Sequence, residues 1–217
     1  MSKLIKKKNF RKTIYQQLPT FIISPEEIKL GFEKDIILAV PYINFYSKNK
    51  SFNDLYKLYN DSSLLNSSNR DEYTWEEIEK YHHQIIKGSK WFRKHHNYCV
   101  SKCNLSWVII LNIISEKKIM SSHLIGYAGI KKDDTFYIDV SLSDLYLNII
   151  EKYQRKGIGT KFNQEFIKWW KKKFPNENLQ WVSRFDNLGS QKLALNSGFV
   201  YKRKVNLECE YYVYELK

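Results

Sequence analysis

A mixed α/β fold is what this 217-residue chain predicts, and three observations carry the prediction. Stretches of strand character and stretches of helical periodicity alternate along most of the sequence, as in one domain built on a sheet and helices. Apolar residues make up 43% and aromatics 16%, enough for a sizeable core and too much for a disordered chain. A turn carrying two of the 8 glycines, Gly157 and Gly159, leads directly into a long amphipathic run.

The elements follow in order. Residues 1–17 hold six lysines and arginines in the first twelve positions, without periodicity, and are expected to form a basic arm. Residues 18–217 are expected to form a single domain, with 18–35 as its N-terminal extension. Between Leu18 and Tyr46 the bursts "FII" and "DIILAVPYINFY", broken by Pro25, Gly31 and Pro41, read as strands. "SFNDLYKLYNDSSLL" sets Leu55, Leu58 and Tyr59 on one helical face, with Ser51 or Asn53 as N-cap. "NSSNRDEY" reads as a polar loop. In "TWEEIEKYHHQII", Thr74 and Glu77 have the spacing of a capping box, and Ile78, Tyr81 and Ile85 share a side.

Strand character then takes over. "NLSWVIILNI", "HLIGYAGIKK" and "TFYIDVSLSDLYLNI" are rich in β-branched and aromatic residues, with turns at Ser115–Lys118 and Lys132–Asp134. Helical spacing returns with Ile158, Phe162, Phe166, Trp169 or Trp170 and Phe174, and Lys171–Lys173 suit the negative end of the helix dipole. "LQWVSRF" reads as a strand, "LGSQKLALNSGF" as a short helix ending at Gly198, and Phe199–Leu216 as a strand pair.

Charge and cysteine content bound the function without choosing it. The formal charge is +13, dominated by lysine; it permits nucleic acid, an acidic protein or a polyphosphate cofactor and selects none. Three cysteines, Cys99, Cys103 and Cys209, imply no disulfide framework and favour a reducing compartment. The most apolar stretch, "WVIILNII", is too short to span a bilayer, and the N-terminus lacks the pattern of a secretory signal. A soluble, cytoplasmic protein is expected.

The glycine turn carries the chemistry. Several amides can converge on one anion only where no Cβ blocks the approach, and a following helix adds the positive end of its dipole. The mononucleotide loop G-x-x-x-x-G-K-[ST] is absent, and the dinucleotide pattern G-x-G-x-x-G fails at Phe162. What fits is Q-x-x-G-x-G, as Gln154-Arg155-Lys156-Gly157-Ile158-Gly159. Between a strand and a long helix, this resembles the acetyl-CoA signature of the GNAT superfamily of N-acetyltransferases. "DNLGSQKLALNSGF" is similar to that superfamily's second signature, with Asn187, Ser190, Gly198 and Phe199 in place. The helical segments "LYKLYNDSSLL" and "TWEEIEKYHHQII" further resemble the insert of the branch that acetylates protein N-termini and ribosomal proteins. The resemblance spans roughly residues 36–216.

It implies a twisted, mostly antiparallel sheet with a splayed strand pair at the cofactor site, flanked by helices. It also implies direct attack of an amine on the thioester of acetyl-CoA, with no metal. The amides from Arg155 to Thr160 (Arg155, Lys156, Gly157, Ile158, Gly159, Thr160) are then expected to hold the pyrophosphate, with Gln154 opening the loop. Free backbone groups on Leu147, Asn148, Ile149 and Ile150 would take the pantetheine arm, and the amide of Ile149 or Ile150 would stabilise the oxyanion. Asn187 would touch the pantetheine from the opposite strand. Asp144 falls where relatives carry a glutamate base and is one methylene shorter; Asp139 and Glu151 are other carboxylate candidates. Relatives often place a thiolate-protonating tyrosine where this chain has Ala194, which leaves Ser190 or a water as donor.

Two other groupings are weaker signals. His82, His83, His95, His96, Cys99 and Cys103 match no zinc spacing. Lys171–Lys173 beside Trp169 and Trp170 suggest a nucleic-acid surface, yet the tryptophans fall in register with the apolar stripe. The expected acceptor is a primary amine, favoured to be on a protein or peptide, with no membrane partner. The alternatives are a small-molecule amine acetyltransferase, or a catalytically silent acyl-CoA-binding or nucleic-acid-associated module supported by Ala194, the short Asp144 and the basic arm.

Overall fold

The computed structural model describes residues 18–23, 35–42, 52–68, 71–94, 105–115, 118–131, 143–206 and 209–217. Among them eight strands form one sheet: β1 (Phe21–Ile23), β2 (Asp35–Pro41), β3 (Leu105–Ser115), β4 (Lys118–Lys131), β5 (Ser143–Ile149), β6 (Leu179–Arg184), β7 (Phe199–Asn206) and β8 (Glu210–Leu216). Their order is β1-β2-β3-β4-β5-β6-β8-β7, and every neighbouring pair is antiparallel except β5–β6. Five helices accompany them: α1 (Phe52–Tyr59), α2 (Ser62–Ser68), α3 (Trp75–Lys94), α4 (Ile158–Lys173) and α5 (Leu188–Asn196). The basic arm, Asp139 and the cluster His95, His96, Cys99 and Cys103 lie outside the described residues.

Strand side chains alternate between the two faces, so the sheet buries two separate apolar layers. On one face α4 inserts Ile158, Phe162, Phe166 and Trp170 against Trp107, Ile109, Leu145, Ile149, Leu179 and Trp181. Trp170 is fully buried and Trp169 is half-buried against the same core, so both rings are engaged in packing. Phe21 of β1 makes ring contacts with Trp107, Phe162, Phe166 and Trp169, so the N-terminal extension is part of this core. Its neighbour Pro19 accepts a hydrogen bond from Trp107 Nε1 at 2.8 Å. On the opposite face a smaller cluster joins Tyr42, Leu55, Ile85, Val108 and Ile110.

The helical insert departs from the expected pair of helices. The segment expected as one helix breaks at Asn60–Asp61 into α1 and α2. Two side chains cause the break. Asn60 turns to Tyr73, exchanging bonds of 3.0 and 2.7 Å with its backbone, and Asp61 Oδ1 accepts the amide of Ser63 to start α2. Helix α2 therefore takes in part of the stretch expected as loop, and Asn53 lies inside α1 rather than at its cap. The capping box of α3 forms as its spacing predicts: Thr74 N–H donates to Glu77 Oε2 at 2.9 Å and Glu77 N–H to Thr74 Oγ1 at 3.2 Å.

Candidate active site

The site begins where the sheet comes apart. Strands β5 and β6 pair through only two positions, Ser143 with Leu179 and Asp144 with Gln180. Beyond Asp144, β5 keeps its ladder with β4 while β6 keeps its ladder with β8, so a gap opens between them. Backbone groups alternate in direction along an antiparallel ladder. Ile150 N–H donates to Ile125 O at 3.0 Å, so Asn148 and Tyr146 also turn their backbone groups toward β4. Leu145, Leu147 and Ile149 therefore turn theirs into the gap. The pair of oxyanion donors expected at Ile149 and Ile150 narrows to Ile149, because the Ile150 amide is already engaged. Asn148 likewise offers the gap no backbone group.

The glycine turn closes the end of this gap. A single 3-10 turn, Glu151–Tyr153, follows β5, and Gln154 folds back so that its Nε2 donates to Ile149 O at 2.7 Å. Arg155 and Gly157 then adopt left-handed backbone, with φ of 58° and 82°. Gly157 is the N-cap of α4 and supplies no side chain to it, and no acidic residue sits in the first turn. The first intrahelical bond is Lys161 N–H to Gly157 O at 3.0 Å, which leaves the amides of Ile158, Gly159 and Thr160 without helical partners. Uncapped amides at the positive end of a 16-residue helix, unopposed by a carboxylate, fit a phosphate group. Gly159 has a further reason to be glycine. A Cβ there would lie 2.9 Å from Leu147 Cδ2 and 3.2 Å from Leu193 Cδ2, so its small size lets α4 seat against β5 and α5.

The second signature serves the fold first. Asn187 is the N-cap of α5, its Oδ1 accepting Ser190 N–H at 3.0 Å. It stands in the turn after β6 and not on the strand opposite β5, which corrects the expected position. Ser190 Oγ accepts the Trp181 indole N–H at 2.9 Å. Gly198, with φ of 91°, ends the α5 turn before Phe199 enters the core.

Asp144 stands at the base of the gap, 4% exposed, on the sheet face away from α4, since its neighbour Leu145 packs into the α4 core. That face carries a layer of tyrosines which sequence reasoning did not single out. Tyr127 packs against Tyr59 at 4.7 Å between ring centroids and against Tyr146 at 6.3 Å. Tyr146 Oη pairs with Ser106 Oγ at 2.6 Å, and burial pushes this phenol up to about 12 although the serine bond pulls it down. Burial, joined by the neighbouring phenols, raises Tyr59 well above its ordinary value. Both rings stay protonated near neutrality. Gly129 makes room for Tyr146, because a Cβ there would lie 2.7 Å from the phenol oxygen. The sequence signal for this layer was one tyrosine from each of α1, β4 and β5, which reads equally as ordinary packing.

The remaining candidates lie elsewhere. Glu151 is exposed on the 3-10 turn. His82 is buried against Tyr42, whose hydroxyl meets its Nδ1 at 2.8 Å, and His83 Nδ1 bonds Glu79 O of its own helix. No group of three or more metal-ligating side chains forms among the described residues. No described helix is long and apolar enough to cross a membrane.

A sheet split at one parallel pair, free strand amides lining the split and an uncapped helix at its mouth together form the architecture of a transferase that takes its group from a phosphate-bearing carrier. A family model described as an acetyltransferase (GNAT) domain matches residues 47–200, and the chain belongs to that family. It is an acetyl-CoA-dependent acetyltransferase. Solved structures share the fold at low identity. A protein from Bordetella pertussis described as of the GNAT acetyltransferase family is 10% identical, with a TM-score of 0.64 over 91% of this chain and 99% of that one. The ribosomal-protein-S5-alanine acetyltransferase of Vibrio fischeri is 15% identical, with a TM-score of 0.56 over 90% and 95%. The microcin C7 self-immunity acetyltransferase MccE, in complex with acetyl-CoA and AMP, is 13% identical, with a TM-score of 0.52 over 84% and 92%. No curated protein sequence matches the chain.

Proposed function

We propose that the chain transfers the acetyl group of acetyl-CoA to a primary amine on a protein or peptide. The observation that carries the reading is the split between β5 and β6, with the free amides of α4 at its mouth. The amides of Ile158, Gly159 and Thr160, with Arg155 and Lys156 beside them, hold the pyrophosphate. The pantetheine arm lies along the backbone groups of Leu147 and Ile149, and Ile149 N–H donates to the carbonyl oxygen as it gains negative charge.

Asp144 takes a proton from the acceptor ammonium, directly or through a water; the neutral amine then attacks the thioester carbon, the C–S bond breaks, and the second proton on nitrogen passes to the departing thiolate, directly or by way of Ser190. The departing thiolate needs little assistance near neutral pH, and Ser190, whose oxygen accepts from Trp181, keeps its own proton to give. The protein-type acceptor is favoured by the α1–α3 insert and by the fold shared with an enzyme named for a ribosomal-protein alanine. The fold is also shared with AAC(6′)-Ib, solved with an aminoglycoside and acetyl-CoA, so the acceptor must be measured.

Release of free CoA thiol, followed with peptides bearing free N-termini, N-blocked lysine peptides, polyamines and aminoglycosides, tests this. Free-amine peptides are expected to give the fastest release. Turnover confined to polyamines or aminoglycosides would overturn the protein acceptor, and release with none of them would overturn amine acetylation.

A further inference from the structure

At the base of the split, the residue facing Asp144 across the parallel pair is Gln180. Register partners in adjacent strands point to the same face, so the two side chains stand together on the face away from α4. Gln180 is 3% exposed, and its Oε1 has no hydrogen-bond partner. A buried amide oxygen without a donor costs the fold on the order of 1–3 kcal/mol, and such groups persist where something other than stability requires them. The next residue in the row, Glu215 of β8, sits opposite Gln180 and is occupied by Lys202 and Arg203 at 3.4 and 3.9 Å. Gln180 Oε1, like Asp144 Oδ1 beside it, is thus a buried acceptor atom of this row without a hydrogen bond, while Asp144 engages other groups.

We propose that Gln180 Oε1 is a binding group for the acceptor amine, and that with Asp144 it makes a two-point site selective for an ammonium with at least two N–H donors. The inference rests on the acetyl-transfer reading above. A primary ammonium has three N–H donors: one goes to Asp144, where its proton is lost, and one to Gln180. The lone pair left by that proton first faces Asp144, and the amine, held by its Gln180 bond, turns to present it to the thioester in the gap. The cofactor's anionic end lies on the α4 side of the sheet and this pair on the other, so acceptor and carrier meet at the split from opposite faces. A fully substituted nitrogen cannot make both bonds and is rejected.

The test uses the full chain, acetyl-CoA at saturation and the tripeptide amide Ala-Ala-Ala-NH₂ as acceptor, read by thiol release, with its N,N-dimethyl counterpart alongside as a competing ligand. In Gln180→Met, which keeps the shape and removes the acceptor atom, the Michaelis constant for the tripeptide is expected to rise about tenfold or more. The affinity for acetyl-CoA should change less than twofold, and the preference for the tripeptide over the N,N-dimethyl competitor should shrink. Gln180→Glu, which restores an oxygen, should recover most of the tripeptide affinity. Thermal stability of Gln180→Met should be unchanged or raised, since no bond is lost. A tripeptide Michaelis constant unchanged in a folded Gln180→Met protein overturns the inference while leaving the acetyl-transfer reading intact. A lowered melting temperature with unchanged kinetics assigns Gln180 to the fold and overturns it likewise. Absence of thiol release from the wild-type protein with every amine of the panel overturns both.

Discussion

The two chemical tasks assigned to single residues separate by which half of the reaction they touch. Asp144 is buried beside the gap but on the face away from α4, the helix proposed to hold the pyrophosphate. Asp144→Asn is therefore expected to lower turnover by ~10²–10⁴-fold, the usual contribution of a positioned base, with acetyl-CoA affinity unchanged by calorimetry. A loss below about threefold would hand the base role to another group. Gly159 acts on the other half. A valine there meets Leu147 and Leu193, and Leu147 is one of the residues whose backbone lines the gap. Gly159→Val should weaken acetyl-CoA binding at least tenfold and lower stability by about 1–3 kcal/mol, as expected for an overpacked contact. Unaltered calorimetric affinity would mean that the strand is not part of the cofactor site.

At the scale of elements, the docking of α3 is expected to carry a proton linkage. It reaches the sheet partly through His82, which is buried against Tyr42 at the end of β2. Burial lowers the proton affinity of this ring below the ordinary 6.5; neighbouring His83 lowers it further and Glu79 opposes. The unfolded chain then binds a proton that the folded chain refuses, so stability is complete above about pH 6.5 and is lost as the pH falls below it. Denaturation midpoints between pH 7.5 and 5.5 are expected to fall, and His82→Gln should flatten the dependence. Equal slopes in the two proteins would show that the pair carries no proton linkage.

For the molecule as a whole, one ring ties the first described strand to the core. Phe21 enters the aromatic core between Trp107 and α4, and β1 pairs with β2. Removal of residues 1–12 is expected to leave acetyl-CoA binding and transfer nearly unchanged. Phe21→Ala should cost about 3–5 kcal/mol, the usual loss for a buried aromatic. A melting temperature several degrees lower in the shorter truncation would extend the core to the basic arm.

Local signals in the sequence were enough for most elements and for the class of chemistry. The capping box at Thr74–Glu77, the apolar stripe from Ile158 to Trp170 and the Gly157–Gly159 turn each depend on residues close in the chain, so their spacing could be read directly. The helix break at Asn60 was missed because its cause, the bonds to Tyr73, lies 13 residues away. The same reason hid the active face. Which of Ile149 and Ile150 faces the gap depends on the register between β4 and β5, set by a ladder to residues more than 20 positions upstream. That Gln180 stands beside Asp144 depends on a crossover through α4, and that Asn187 caps α5 depends on where β6 stops. Sequence by itself determined most of the helices, the glycine turn and the family, because those are written in short-range spacing. The tertiary structure alone decided which backbone groups are free and which polar side chains meet, because strand pairing joins residues that the chain keeps far apart.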